Sequence, residues 1–138
     1  MSADFAATGR SIKGVALLVL ILCIACRAAL AIDSSTVQAM ITTGRIEELK
    51  SLGRDILPVM ARLYESSDVA QRARIAQAFY ALGWKSSEAK AALMKDAHTP
   101  DTNLRLQVQW ALGRVSSDSD VVDTLLNNMQ NDANPLFR

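Results

Sequence analysis

The stretch FYALGW, Phe79–Trp84, returns later in the chain as QWALGR, Gln109–Arg114, and has a weaker counterpart, KSLGRD, at Lys50–Asp55. From one stretch to the next, the Leu-Gly pair is shifted by thirty residues. Glycine in this position is typical of a helix end, because it adopts the left-handed conformation without steric cost. We therefore predict that the glycine of each stretch ends the first helix of a helix-turn-helix unit, and that thirty residues form one structural repeat.

The residues around these stretches have the order expected of two short helices joined by a turn. Asp68 precedes a run of good helix formers that ends at Gly83, and Ser86 precedes a second run. Both side chains belong to types that cap the free backbone amides at a helix start. The same order begins again at Asp101 and is predicted to end at Gly113, after which a polar loop leads into a further amphipathic helix, VVDTLLNNMQN.

These units predict an all-α fold. The chain is rich in alanine and leucine, and almost no run alternates apolar with polar residues as a half-buried strand would. One pair of such short helices cannot bury its apolar stripes, whereas stacked pairs can. We predict an α-solenoid of about three stacked helix-turn-helix repeats over residues 32–138. The alternative is an ordinary helical bundle in which Leu-Gly recurs by chance.

The last residues, NPLFR, carry the start signal of another helix. Leu136 and Phe137 are expected on an unfinished turn, and the apolar stripe of Val122, Leu126 and Met129 is expected to be partly uncovered. Because a solenoid needs a polar terminal cap, we expect either that the array is truncated at its C-terminal end or that a partner covers this end.

A basic start, an apolar run and small residues mark the N-terminal segment. Arg10 and Lys13 precede the apolar stretch Val15–Cys26, and Ala29–Ala31 provides the small side chains that signal peptidase accepts. We predict a signal peptide at residues 1–31 that is cleaved after Ala31, and export of the remaining chain to the periplasm or the extracellular space. The apolar stretch is shorter than the ~20 residues of a membrane span. An uncleaved anchor and a buried core helix are the alternatives.

Few residues suggest catalysis or metal binding. Cys23 and Cys26 have the C-x-x-C spacing of thiol exchange and zinc sites, but both lie in the predicted signal segment. His98 is the only histidine, and the oxygen-rich loop Ser116–Asp120 lacks the glycine and the bidentate Glu of a calcium loop. We predict no catalytic residue, no cofactor and no metal site, and we do not expect an enzyme.

The charge of the chain limits its partners. The formal net charge is +1, whereas nucleic-acid binding normally requires a strongly basic face. We therefore expect no nucleic-acid partner, and contact with a membrane only transiently, through the signal segment.

Two aromatic residues occupy matching positions in successive units. Tyr80 and Trp110 lie thirty residues apart, and we expect both to be bulky core or groove-lining members of the first helices, because aromatic rings bury large areas. The alternative is a pair of stacked rings that form a ligand platform. Trp84, which follows Gly83, is expected either to pack on the neighbouring repeat or to act as an exposed anchor for a partner.

The stretch LRLQVQWALGRV, Leu104–Val115, resembles the first helix of a short HEAT-type repeat of the phycobilisome-lyase kind, whose pattern is roughly V-R-x-x-A-A-x-A-L-G. The resemblance extends over about residues 45–138. In HEAT proteins an Asp and an Arg six positions apart link adjacent repeats through a ladder of hydrogen bonds. Asp132 with Arg138 and Asp68 with Arg74 have that spacing, whereas Asp101 and Arg105 are four apart.

The resemblance implies a non-catalytic scaffold that binds another protein, in a form that is exported. It also implies that the second helix of each repeat lines the concave surface. One alternative is a lyase that attaches bilin chromophores; it is disfavoured by the predicted export and by the lack of a thiol in the exported part. The other alternative is an adaptor held to the membrane by an uncleaved N-terminal segment. The candidate partner-binding residues are Arg62, Tyr64, Trp84, Lys90, Lys95, Asn127, Asn128 and Gln130.

Overall fold

A computed structural model describes residues 32–137, and this part of the chain is all-helical, without a strand. The predicted signal peptide, residues 1–31, lies outside the described residues. No helix within residues 32–137 is long and apolar enough to cross a membrane. The helices are α1 Ser34–Thr42, α2 Ile46–Ser51, α3 Leu57–Ser66, α4 Val69–Leu82, α5 Ser87–Met94, α6 Thr102–Val115 and α7 Ser119–Asn131, with 3-10 turns at Arg54–Ile56 and Pro135–Phe137.

The predicted helix starts are confirmed where a side chain caps the first turn. A carboxylate oxygen of Asp68 accepts a hydrogen bond from the Gln71 amide at 2.8 Å, and Asp101 does the same for the amide three residues later, also at 2.8 Å. Ser86 caps α5 through its hydroxyl, which accepts from the Ala89 amide at 3.1 Å. Each bond satisfies a donor that the helix itself leaves free.

The glycines do not all end helices. Gly83 follows the last residue of α4 in the left-handed conformation, with φ +66°, and its amide donates to the Phe79 carbonyl at 3.0 Å. The prediction for Gly113 is wrong, because α6 continues through it to Val115 and its φ is not positive. Val115 is buried, so one further half-turn of helix places another apolar side chain in the core.

Helices α4 and α6 lie side by side and run in the same direction. Ala70 and Asn103, at their starts, line one groove, and the rings of Tyr80 and Trp110, near their ends, lie 6.2 Å apart between centroids. Among residues 32–137 these two helices make the most extensive contact of any pair. The helices that directly precede them in sequence, α3 before α4 and α5 before α6, also contact each other.

Polar contacts join α3 to α5 and α5 to α7 across a nearly constant distance in sequence. The Lys95 ammonium binds Glu65, thirty residues away. The Lys90 ammonium binds Asp118, a separation of 28, and the Asn128 amide donates to the Ala97 carbonyl, a separation of 31. Corresponding ends of the helices therefore meet, so α3, α5 and α7 run in the same direction.

The core is one continuous cluster that extends from Val37 in α1 to Val121 in α7. Its largest fully buried side chains include Phe79, Tyr64 and Met60. Small residues fill much of α4, where three alanines are buried among larger side chains. Close approach of neighbouring helices follows, because the distance between helix axes depends on the size of the side chains at the contact.

The last described residues fold back onto α6. Leu136 and Phe137 lie in a single 3-10 turn, in which Leu136 is exposed and Phe137 is buried, and the Arg105 guanidinium lies 4.0 Å from the centroid of the Phe137 ring. Arg105 also binds Asp132 at 3.3 Å. These two residues are 27 positions apart, and Arg138, the other arginine considered for Asp132, lies outside the described residues. The equivalent ion pair in the preceding helices joins Arg72 to Asp96, also at 3.3 Å.

Two glycines at matching positions should respond oppositely to substitution. Gly83→Ala is expected to lower the free energy of unfolding by about 1–2 kcal/mol, because φ is positive there. Gly113→Ala is expected to raise it by about 0.5–1 kcal/mol, because the residue is helical. A new Cβ there meets only Leu125, at 3.9 Å. Urea unfolding followed by circular dichroism measures both, and changes of the same sign would contradict this difference between the two glycines.

Candidate protein-interaction surface

The structure distributes the eight candidate residues among surface, half-buried and buried positions. Four side chains are exposed, two are half-buried and two are buried. The exposed ones are Arg62, Lys95, Asn127 and Gln130, the half-buried ones are Trp84 and Lys90, and the buried ones are Tyr64 and Asn128.

Tyr64 is buried, so the expectation that it lies on a partner-binding surface is wrong. Its hydroxyl donates a hydrogen bond of 2.7 Å to a carboxylate oxygen of Asp96, and the same oxygen accepts from Arg72 at 3.3 Å. Burial, reinforced by the bond to Asp96, raises the pKa of Tyr64 well above its ordinary value. The residue joins α3 to the end of α5 and holds both in place.

Asn128 is also buried, and the same correction applies to it. Its side-chain amide donates to the backbone carbonyl of Ala97 at 3.3 Å. Ala97 lies beyond the end of α5, where carbonyl groups have no partner inside a helix. Asn128 satisfies one of them, which explains why a polar side chain occupies the inward face of α7.

The two candidate lysines form ion pairs between successive helices. The Lys90 ammonium binds Asp118 at 2.6 Å and Asp120 at 2.8 Å, and Lys95 binds Glu65. Hydrogen bonds to the carboxylates, that of Asp118 first, raise the pKa of Lys90, and the bond from Lys90 lowers the pKa of both aspartates. These lysines therefore connect helices, and their charges are already matched within the chain.

Trp84 packs partly against the core cluster. It follows the left-handed Gly83, which directs the chain away from the end of α4. Its half-buried position agrees with packing at the corner between helices.

Within residues 32–137, the most exposed aromatic residues are two that we expected in the core or lining a groove. Tyr80 is 42% exposed and Trp110 is 51% exposed, and their rings are inclined by 43° to each other. Core burial is therefore wrong for both. In α4 the inward face is taken by Phe79, and one helical residue rotates the next side chain by about 100° around the axis, away from that face. The position of Tyr80 relative to the apolar stripe of α4 is the sequence feature that could have predicted its exposure.

Arg114 completes this exposed group. Its guanidinium lies 5.3 Å from the centroid of the Tyr80 ring. On the other side it lies against Gly83, where an added Cβ would stand only 2.9 Å from a terminal nitrogen of Arg114. The absence of a side chain at Gly83 therefore leaves room for the guanidinium beside the aromatic pair.

A second exposed group runs along α7. Val122, Leu126 and Met129 follow one another at helical spacing and are between 43% and 57% exposed, and Leu136 in the following turn is also exposed. The expectation that this stripe is partly uncovered is confirmed. An adjoining face of α7 packs inward through Val121, which is buried. The helix thus has apolar residues on two faces.

Neither group has the composition of a catalytic or metal site. Within residues 32–137 no three His, Cys, Asp or Glu side chains cluster as metal ligands do. Comparisons of the chain with protein-family models, with curated proteins and with solved structures found no match. The geometry of the exposed groups is therefore the basis for a functional proposal.

The buried Tyr64 hydroxyl provides a stability test with an internal control. Tyr64→Phe is expected to lower the free energy of unfolding by about 1–2 kcal/mol, because the Asp96 carboxylate loses a hydrogen bond in a buried setting. Tyr80→Phe removes an exposed hydroxyl and should change the free energy of unfolding by less than about 0.5 kcal/mol. Urea unfolding of both variants measures the difference, and equal effects would refute the structural role assigned to Tyr64.

Proposed function

We propose that the protein is a non-catalytic protein-interaction scaffold, built as an α-solenoid of HEAT-like helical pairs and exported by the secretory pathway. The observation that carries the proposal is the apolar stripe of α7, formed by Val122, Leu126 and Met129, which is open to solvent. Exposed apolar patches on folded proteins typically mark interaction sites.

The directions of the helices support the solenoid. In an array of helical pairs each helix lies beside its counterpart in the next pair, pointing the same way. The parallel contact of α4 with α6, and the polar contacts that join α3 to α5 and α5 to α7 at separations of 28 to 32 residues, agree with this arrangement. They also agree with the interval of thirty between the Leu-Gly pairs.

The spacing of the stripe favours a protein as its ligand. Val122, Leu126 and Met129 occupy positions i, i+4 and i+7 of one helix, which is the pattern that packs against another helix or into a hydrophobic groove. Methionine and leucine also adapt readily to different partner surfaces. Because α7 is already ordered and packed through Val121, binding to it costs little conformational entropy.

Export is proposed from the N-terminal pattern of basic residues, apolar run and small residues. The partner is then another protein of the periplasm or the extracellular space.

The double variant Leu126→Ser, Met129→Ser tests the proposal. The partner is first identified by crosslinking to the wild-type chain in the exported fraction of the source cells, and its binding to the wild-type chain is then measured with both proteins purified. This partner should bind the variant at least about tenfold more weakly, because two apolar contacts are lost. Val69→Ser, which removes an exposed apolar side chain of α4, is the matched control and should bind normally.

Circular dichroism of each variant confirms that the fold is retained, since exposed substitutions change stability by only about 0.5 kcal/mol. Equal binding by the double variant and the wild type would refute the α7 stripe as the interface. If the purified chain turned over a substrate and bound no partner protein, the proposal of a non-catalytic scaffold would be refuted.

A further inference from the structure

Helices α4 and α6 form a second surface that the α7 stripe does not include. We call it the α4–α6 groove and define it by Gln77, Tyr80, Asn103, Gln107, Trp110 and Arg114. The part nearer the helix starts has a volume of about 250 Å³ and is lined on the α4 side by two alanines, Arg74 and Gln77. The aromatic pair stands at one end, next to Arg114.

The two rings contact each other at an angle, and their exposed faces form a shallow notch. Their centroids are 6.2 Å apart and their planes are inclined by 43°, so they do not share the flat plane on which a sugar ring would lie. No group fits between rings this close, but a compact apolar side chain can rest on their exposed faces. Proline suits such a notch particularly well, because aromatic-lined grooves bind proline-containing segments in an extended conformation that is already ordered before binding.

The two helices carry only basic charge along the groove, whereas Asp68 and Asp101 stand just before their first residues. Between their first and last residues α4 and α6 contain four arginines and no acidic residue. Arg72 and Arg105 bind Asp96 and Asp132. Among residues 32–137, neither of the other two arginines, Arg74 and Arg114, forms an ion pair. A ligand with carboxylates would therefore find two cations whose charge is not already matched.

Arg114 is the better placed of these two cations. Its guanidinium lies between the Tyr80 ring, at 5.3 Å, and the backbone of Gly83, and so stands beside the notch. Guanidinium groups bind carboxylates through two parallel hydrogen bonds, and little entropy is lost when the group is already oriented. Tryptophan, tyrosine and arginine are also the residues that dominate binding energy at protein interfaces.

The length of the groove sets the size of its ligand. Asn103 and Arg114 are eleven helical positions apart, which corresponds to about 16 Å along the axis. An extended chain covers this distance with about five residues. The amides of Gln77, Asn103 and Gln107 line the path and offer both donors and acceptors to a peptide backbone.

We propose that the α4–α6 groove binds an extended, acidic, proline-containing peptide segment of a partner protein. The proline ring rests on the exposed faces of Tyr80 and Trp110, and a carboxylate beside it binds Arg114. This site goes beyond the proposed function, because it is a second surface on different helices and does not depend on α7.

A short synthetic peptide provides the test. The probe is fluorescein-labelled Gly-Glu-Pro-Leu-Pro-Glu-Gly, and its matched control carries Gln in place of both Glu residues. Fluorescence anisotropy with the purified protein is expected to show saturable binding of the acidic peptide below about 1 mM. The neutral peptide is expected to bind at least about fivefold more weakly, and added salt should weaken the acidic peptide further.

Variants then locate the site. Trp110→Ala and Arg114→Gln should each weaken binding of the acidic peptide by about tenfold or more. Arg62→Gln removes an equally exposed arginine from α3 and should leave binding within about twofold. In a Trp84→Phe background, the fluorescence of Trp110 should change when the unlabelled peptide binds. This readout does not depend on the folding of an alanine variant.

Three results would overturn the inference. They are the absence of saturable binding at about 1 mM, equal loss of binding in Arg62→Gln and Arg114→Gln, and binding of an oligogalacturonate in place of the peptide. Because the α7 double variant keeps the α4–α6 groove intact, failure of the peptide test leaves the partner-binding test on α7 unaffected, and the two proposals fail separately.

Discussion

The parallel packing of α4 on α6 is the contact on which the rest of the structure depends. Buried alanines on α4 allow the helices to approach closely, and the same approach brings Tyr80 beside Trp110 and Arg114 beside Gly83. One interface therefore sets both the centre of the core and the geometry of the α4–α6 groove. A change that separated the two helices would remove the notch without touching either ring.

The remaining helices are held in register by polar contacts. Tyr64 and Arg72 meet on the carboxylate of Asp96, and Arg105 binds Asp132 at the equivalent place one helical pair later. These groups are largely shielded from solvent, and a buried polar group that loses its partner is costly. Slippage of one helix along its neighbour would break several such bonds at once, which explains how a core of small side chains holds a defined arrangement.

The sequence predicted the local structure well and the orientation of side chains less well. Asp68, Ser86 and Asp101 were correctly predicted as caps, because capping depends on residues within one turn. Gly113 was wrongly predicted to end α6. A glycine ends a helix only where the chain must turn, and burial of Val115 favours another half-turn of helix there.

The candidate surface was harder to predict for a physical reason. Tyr64 and Asn128 are polar, but each finds a partner about thirty residues away, and such pairing is visible only when the helices are assembled. Tyr80 and Trp110 are large and aromatic, yet the inward positions of α4 and α6 are already filled by other side chains. Their residue type favours burial. Their exposure can be predicted only when the inward face of each helix has been assigned, because that assignment fixes the direction of every other side chain.

Native-state hydrogen exchange followed by mass spectrometry tests the central role of α4 and α6 most directly. If their contact organises the fold, the amides of both helices should be the best protected in residues 32–137 and should give the same free energy of opening, because they become accessible only in one joint opening. The short helices α1 and α2 should exchange earlier. Clearly different free energies of opening for α4 and α6, or protection as low as that of α1, would contradict the account.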